Sequence, residues 1–248
     1  MSDPLRLFWL FSIGVVAQRR RGYGPPTLAA MEDDDIAGLL LDRRLVKARG
    51  SHVTSFISGS VASFLPPLML FLDSTVLSAV PSHTLELFMG LLREALPAVR
   101  RCQLLFRSSR DGASAAAFHH CCDRKGPTLT LIKDTAGNVF GGYAAVEWTS
   151  PLYGKWLNDR AAFLFTVVNP HADPPALFAS KAIGCSIGWD LSTGPSFGYD
   201  LYVSGAVDDQ CCSNIGVDYT NGTRHRGDTV LTGAFHFTPA EVEVWSLE

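Results

Sequence analysis

Two runs of alternating side chains face each other across a turn: "TLTLIK" at 128–133 and "VFGGYAAVEW" at 139–148, separated by "DTAGN". Alternation with period two is what a half-buried strand requires, because successive side chains point to opposite faces of a sheet. A connection this short has no room for a helical crossover, so the two strands are antiparallel. The glycine pair Gly141-Gly142 inside the second run predicts a bulge or a close backbone approach.

The rest of the C-terminal part extends that pattern. "AAFLFTVVN" (161–169) is an apolar run of strand length and predicts a central strand. "YDLYVSG" (199–205) and "AEVEVWSL" (240–247) alternate again, with Thr220–Arg226 as a polar turn between them. Helices gather on the N-terminal side. "PSHTLELFMGLLREALP" (81–97) opens with Pro81 and Ser82, carries Leu85, Phe88, Leu92 and Leu96 on one face, and stops at Pro97. Gln103–Arg107 reads as a short strand, "SSRDG" as a turn, and Ala113–Cys122 as a short helix ended by "KGP". Helices to one side of short, turn-linked strands predict an α+β protein built on antiparallel sheets.

Upstream, "RRRGYGPPT" (19–27) reads as a linker and "MEDDDIAGLLLDRRLVKARG" (31–50) as a short helix, acidic at its start and basic at its end. The stretch 51–72 fits helix and strand patterns equally. The predicted organisation is 1–26, an N-terminal apolar segment and linker; 27–72, a helical extension; and 73–248, the main domain. The apolar run at 5–17 is too short to span a bilayer; it reads as a docked or frayed segment, with a signal or weak membrane association as the alternative.

Composition narrows the function classes. A net charge of −3 with scattered Lys and Arg gives no basic stripe for nucleic acid. Six cysteines, two pairs of them adjacent, are too sparse for a disulfide scaffold and predict reduced thiols in the cytoplasm.

Three features look reactive. His119-His120-Cys121-Cys122 is a poor metal set, because helical neighbours point about 100° apart; only His119 with Cys122 or Asp123 shares a face, and Cys211-Cys212 lack the C-x-x-C form. The expected reading places Phe118 and Cys122 (or Cys121) in the core and both histidines at the rim. Arg124 and Lys125 nearby could lower a thiol pKa, which leaves a redox-sensing or thiol-dependent role at Cys121, Cys122 or Cys185 as a softer alternative. "GCSIG" (184–188) fits G-x-S-x-G with Ser186 as nucleophile, followed in order by Asp200 or Asp208 and by His225 or His236. A loop after it ("WDLSTGPSFG") and the lack of βαβ alternation argue against a hydrolase elbow. Glu241 and Glu243 share one face of a strand, and the expectation there is a solvated face or a partner contact. No phosphate-binding glycine spacing occurs.

In order, "DSTVL" (73–77), "LLFRSSRDGASAAAFH" (104–119), "GPTLTLIKDTAGNVFGGYA" (126–144), "AFLFTVVNP" (162–170), "GPSFGYDLYV" (194–203) and "AEVEVWSLE" (240–248) resemble the TLDc domain of the oxidation-resistance family. The resemblance implies two antiparallel β-sheets packed as a sandwich, flanked by helices. It implies a non-enzymatic module associated with protection against oxidative damage, with the vacuolar-type proton ATPase as a partner, and no metal or cofactor. The matching signature positions are Arg107, Asp111, Gly112, Lys133, Asp134, Gly137, Phe140, Gly141, Phe197, Gly198, Asp200, Leu201, Glu241, Glu243 and Trp245. The chain departs from the family in having only "FGYD" before its "DLY" strand, which implies a shorter loop.

Overall fold

The computed structural model describes residues 71–204 and 211–248. The predicted segment 1–26, residues 27–70 of the predicted extension 27–72, and Asp208 lie outside the described residues.

The helix predicted from Pro81 forms as α1, Ser82–Ala95, and buries Leu85, Phe88, Met89 and Leu92. After it come β1 (Cys102–Arg107), α2 (Ser108–Asp111), α3 (Ala115–Cys122), β2 (Thr128–Asp134) and β3 (Val139–Ala144). Next are β4 (Lys155–Leu157), β5 (Phe163–Val168), β6 (Ala176–Ala179), β7 (Ile187–Trp189), β8 (Thr193–Phe197) and β9 (Leu201–Ser204). The last three strands are β10 (Cys211–Ser213), β11 (His236–Phe237) and β12 (Pro239–Leu247).

The strands make two six-stranded antiparallel sheets, ordered β1-β12-β2-β3-β5-β6 and β11-β10-β9-β8-β7-β4. The fold is thus the α+β sandwich that the pattern and the resemblance predicted. β2 and β3 pair from Thr128↔Ala144 to Lys133↔Val139, so the hairpin read from "DTAGN" is real. β5 lies inside its sheet, flanked by β3 and β6.

The first sheet is covered on both sides, which explains why β2 is buried at six of its seven positions. Leu129 and Leu131 face a cluster with Phe71, Val76, Phe88 and Trp245, beneath α1. Ile132, Phe140 and Val244 face the second sheet and meet Ile187, Phe197 and Leu201. Aromatic rings carry the contact between layers: Phe118 to Trp148 at 5.5 Å and Trp148 to Phe197 at 5.6 Å, both edge-on. Gly142 permits that approach, because a Cβ there would lie 2.6 Å from the Phe197 ring.

Some details differ from the sequence reading. "SSRDG" is one turn of helix closed by Gly112 at φ 98°, a conformation that favours glycine. α3 starts at Ala115, two residues late, because the Ser114 hydroxyl accepts from the Ala117 amide and caps it. "WDLSTGPSFG" is not simply a loop: β7 ends at Trp189 and β8 runs from Thr193 to Phe197.

Candidate functional site

The conspicuous polar residues of the C-terminal strand point inward. Glu243 on β12 is 0% exposed and pairs with Arg107 on β1, whose Nη2 and Nε both lie 2.9 Å from Oε1. The same Oε1 accepts from the amide and hydroxyl of Thr75, each at 2.8 Å, and Oε2 accepts from Ser74 Oγ at 2.7 Å and Trp245 Nε1 at 3.2 Å. Arg107 Nη2 also donates to the Asp73 carbonyl. A buried carboxylate is tolerable only when charge and lone pairs are satisfied, and here "DST" supplies the donors. The solvated face expected for Glu243 is therefore wrong: residues 71–80 lie over it.

Glu241, two residues earlier, is half-buried and accepts from Ser108 Oγ at 2.6 Å, Ser109 N at 3.0 Å and Ser109 Oγ. Burial alone would raise its pKa, but these donors win and hold the carboxyl below its ordinary value. Asp111 is held low chiefly by the Arg110 guanidinium, 2.8 Å away, and it also accepts from the Arg107 amide at 2.9 Å. Both acids thus brace the Arg107–Gly112 corner.

His119 is buried, not at the rim as expected; His120 is exposed. Nδ1 of His119 lies 2.8 Å from Asp123 Oδ1, and Nε2 lies 2.8 Å from the Asp190 carbonyl and 3.0 Å from that of Thr193. The ring ties α3 to the turn before β8. Phe118 and Cys122 are buried, as the helix pattern predicted.

Among the described residues, no hydrogen bond joins Ser186 to Asp200 or to either histidine of the hydrolase motif. Ser186 is 1% exposed and its hydroxyl meets Ser180 Oγ at 2.6 Å. The Asp200 carboxylate accepts from the amides of Gly216, Val217, Asp218 and Tyr219. Burial still raises its pKa, an effect these amides only partly offset. His225 contacts Asp173 at 2.7 Å and stacks on His171 at 3.5 Å, and His236 lies on the exposed β11 edge.

Burial also works against thiolate chemistry. It pushes Cys102 up to about 12, and it raises Cys121, Cys122, Cys211 and Cys212. Lys125 acts on Cys121 in the lowering direction, but desolvation is larger. Among the described residues, no three His, Cys, Asp or Glu side chains gather as a metal-ligand set.

The remaining signature positions are mostly internal. Asp134 is buried and accepts from the amide and side chain of Asn138 at 2.8 and 2.7 Å, closing the turn that contains Gly137. Phe140, Gly141, Phe197, Gly198, Leu201 and Trp245 are buried, whereas Lys133 is half-buried and Gly112 and Gly137 are exposed. Gly198 at φ 58° has the Cys185 carbonyl where a Cβ would sit, 2.6 Å away.

The exposed apolar groups, which sequence reasoning passed over, collect at one end of the second sheet. Among the described residues nine large hydrophobic side chains are exposed, and of these Leu87 and Phe235 lie elsewhere. Leu152 and Tyr153 are 83% and 88% exposed just before β4, and Trp156 on β4 stacks at 4.9 Å on Tyr199. Asn158 donates to the Ala182 carbonyl, which brings exposed Ile183 alongside. Tyr199 N donates to Asp218, next to exposed Val217, and Leu191 follows Asp190, which borders Gly154. Clustered exposed apolar surface marks interaction sites far better than scattered residues do. The signal available in the sequence was "SPLYGKWLN", aromatics between turn formers with no apolar period to bury them.

Comparison with known proteins follows the same line. The TLDc domain family profile matches residues 83–248. MTOR-associated protein MEAK7 of Danio rerio is 35% identical over 106 residues, covering 42% of this chain and 22% of the relative. MTOR-associated protein MEAK7 of Gallus gallus is 35% identical over 65 residues, covering 26% of this chain and 14% of the relative. The aligned region thus spans less than a quarter of either relative's length.

Proposed function

The chain belongs to the TLDc domain family, and on that premise we propose that it is a docking module that acts through protein contacts and catalyses no reaction of its own. One observation carries the reading. Ser186 and Asp200, which look catalytic in the sequence, are occupied holding the fold together, while apolar side chains that look structural stand in solvent at one end of the second sheet. A catalytic set needs a nucleophile and a base within reach of each other; the first bond of Ser186 is to another serine.

The domain runs from Asp73 to Glu248, since Ser74 and Thr75 complete the Glu243 site. Its signature residues act chiefly as supports, and those with accessible surface, Arg107, Asp111, Gly112, Lys133, Gly137 and Glu241, are the ones placed to touch a partner. The partners to test first are the vacuolar-type proton ATPase, which the family resemblance suggests, and the mTOR assembly, after which the MEAK7 relatives are named. The chain works in the cytoplasm, and protection against oxidative damage follows from these contacts. Among the described residues, no helix is long and apolar enough to cross a membrane.

Affinity purification of the tagged full chain from eukaryotic cells tests this. Subunits of the proton ATPase or of an mTOR complex should co-purify reproducibly; a clean preparation without either contradicts the reading.

A further inference from the structure

We propose that the free edge of β4 receives an extended, acidic and apolar peptide segment of a partner protein, which adds to the second sheet as a further strand. The inference rests on the docking reading above and specifies where docking occurs and what is docked.

Three observations converge on β4. Among the described residues it ends the sheet, paired with β7 from Lys155↔Trp189 to Leu157↔Ile187 on one side and with no strand on the other. An uncovered edge presents backbone donors and acceptors to any chain that can lie along it. Beside that edge the rings of Trp156 and Tyr199 meet at 4.9 Å and 36°, with the residues 41% and 58% exposed. Such a tilted pair offers an apolar wall for alternate side chains of an added strand.

Charge selects the occupant. The surrounding segments expose three cations, Lys155, Arg160 and Lys181. Their acids are turned to internal work. Asp159 is buried and accepts from the amides of Ala145 and Val146 at 2.7 and 3.1 Å. Asp218 is buried and accepts from Tyr199 N at 2.8 Å. Asp190 keeps some surface, with its carboxylate held by the amide and hydroxyl of Ser192. An alternating acidic and apolar strand complements cations and aromatics at once. A lipid surface fits less well, since polybasic lipid sites use roughly four to eight Lys or Arg, and a membrane offers no strand to pair with the edge.

The test is display selection of random short peptides on the full chain, followed by titration of the winning peptide, synthesised and fluorescently labelled. Enrichment of sequences that alternate Asp or Glu with apolar residues is expected. Trp156→Ala and Lys155→Glu should each weaken the peptide by about tenfold, the scale of losing one anchoring contact. Lys155 is exposed, so Lys155→Glu keeps the fold even if Trp156→Ala unsettles it. Bound peptide should also slow amide exchange along β4. No enrichment, basic winners, or affinity unmoved by both variants overturns the proposal. So does equal binding to phosphatidylserine vesicles, or self-association that Trp156→Ala abolishes, which would make the occupant a second copy. Partner capture from cells that survives both variants removes this edge while leaving the docking reading intact. Capture that already fails with the unsubstituted chain removes that reading, and this inference with it.

Discussion

Arg107 and Glu243 are cross-strand partners on β1 and β12, and the guanidinium closes over a carboxylate that has no solvent exposure. Removing one member of such a pair strands the other charge. Glu243→Ala is expected to cost about 3–5 kcal/mol, read as a shift of the urea midpoint followed by tryptophan fluorescence. The double variant Arg107→Met/Glu243→Leu should cost less than the sum of the two single changes, because neither charge is left alone.

Glu241 gives the pH dependence. Its carboxyl is held below the ordinary 4.5, so its contribution to stability is present above that value and is lost as pH falls through the depressed folded value. The unsubstituted protein should therefore lose stability between neutral pH and acid more steeply than Glu241→Gln does. Thermal midpoints measured down to pH 3, about the lower end of the carboxylate range, check this; parallel curves would contradict it.

The sheet-to-sheet contact predicts a size limit at Gly142. A methyl group there would press on Phe197, whose ring lies 2.6 Å from the position a Cβ would take. Gly142→Ala should destabilise by about 1–3 kcal/mol, while the same change at Gly222, which nothing crowds, should cost less. Differential scanning calorimetry distinguishes the two.

The thiols should be sluggish. Cys122 is 0% exposed and burial raises its pKa, so iodoacetamide should modify it only after unfolding. Cys102, raised to about 12, should react slowly throughout the neutral range. Peptide mass spectrometry after timed labelling reads this directly. One cysteine reacting far faster in the folded chain than in the unfolded chain would revive a thiol-dependent enzyme.

What the sequence disclosed follows the range of each interaction. The β2–β3 hairpin was legible because alternation and turn chemistry are both local, and α1 because its apolar face repeats along one segment. The short strands were not. β4, β7, β10 and β11 have two or three residues each, too few to show a period, and β8 contains a glycine and a proline that signal a loop. The inward turn of Glu243 was hidden for a different reason. Alternation identifies a charged face, but the donors that cover that face, Ser74 and Thr75, lie far earlier in the chain. His119 was misplaced in the same way, since the carbonyls of Asp190 and Thr193 that enclose it come from another layer. Of the candidate site, the motif residues were legible as types; their internal employment required three dimensions.

The most direct test compares partner capture by the unsubstituted full chain with capture by a variant lacking three of its candidate nucleophiles, Ser186→Ala/Cys121→Ser/Cys185→Ser (Cys122 is fully buried), using quantitative mass spectrometry. Equal recovery of proton ATPase or mTOR complex subunits by both chains is the predicted result. Recovery by neither, or a stoichiometric fluorophosphonate adduct on Ser186 of the unsubstituted chain, would contradict the account.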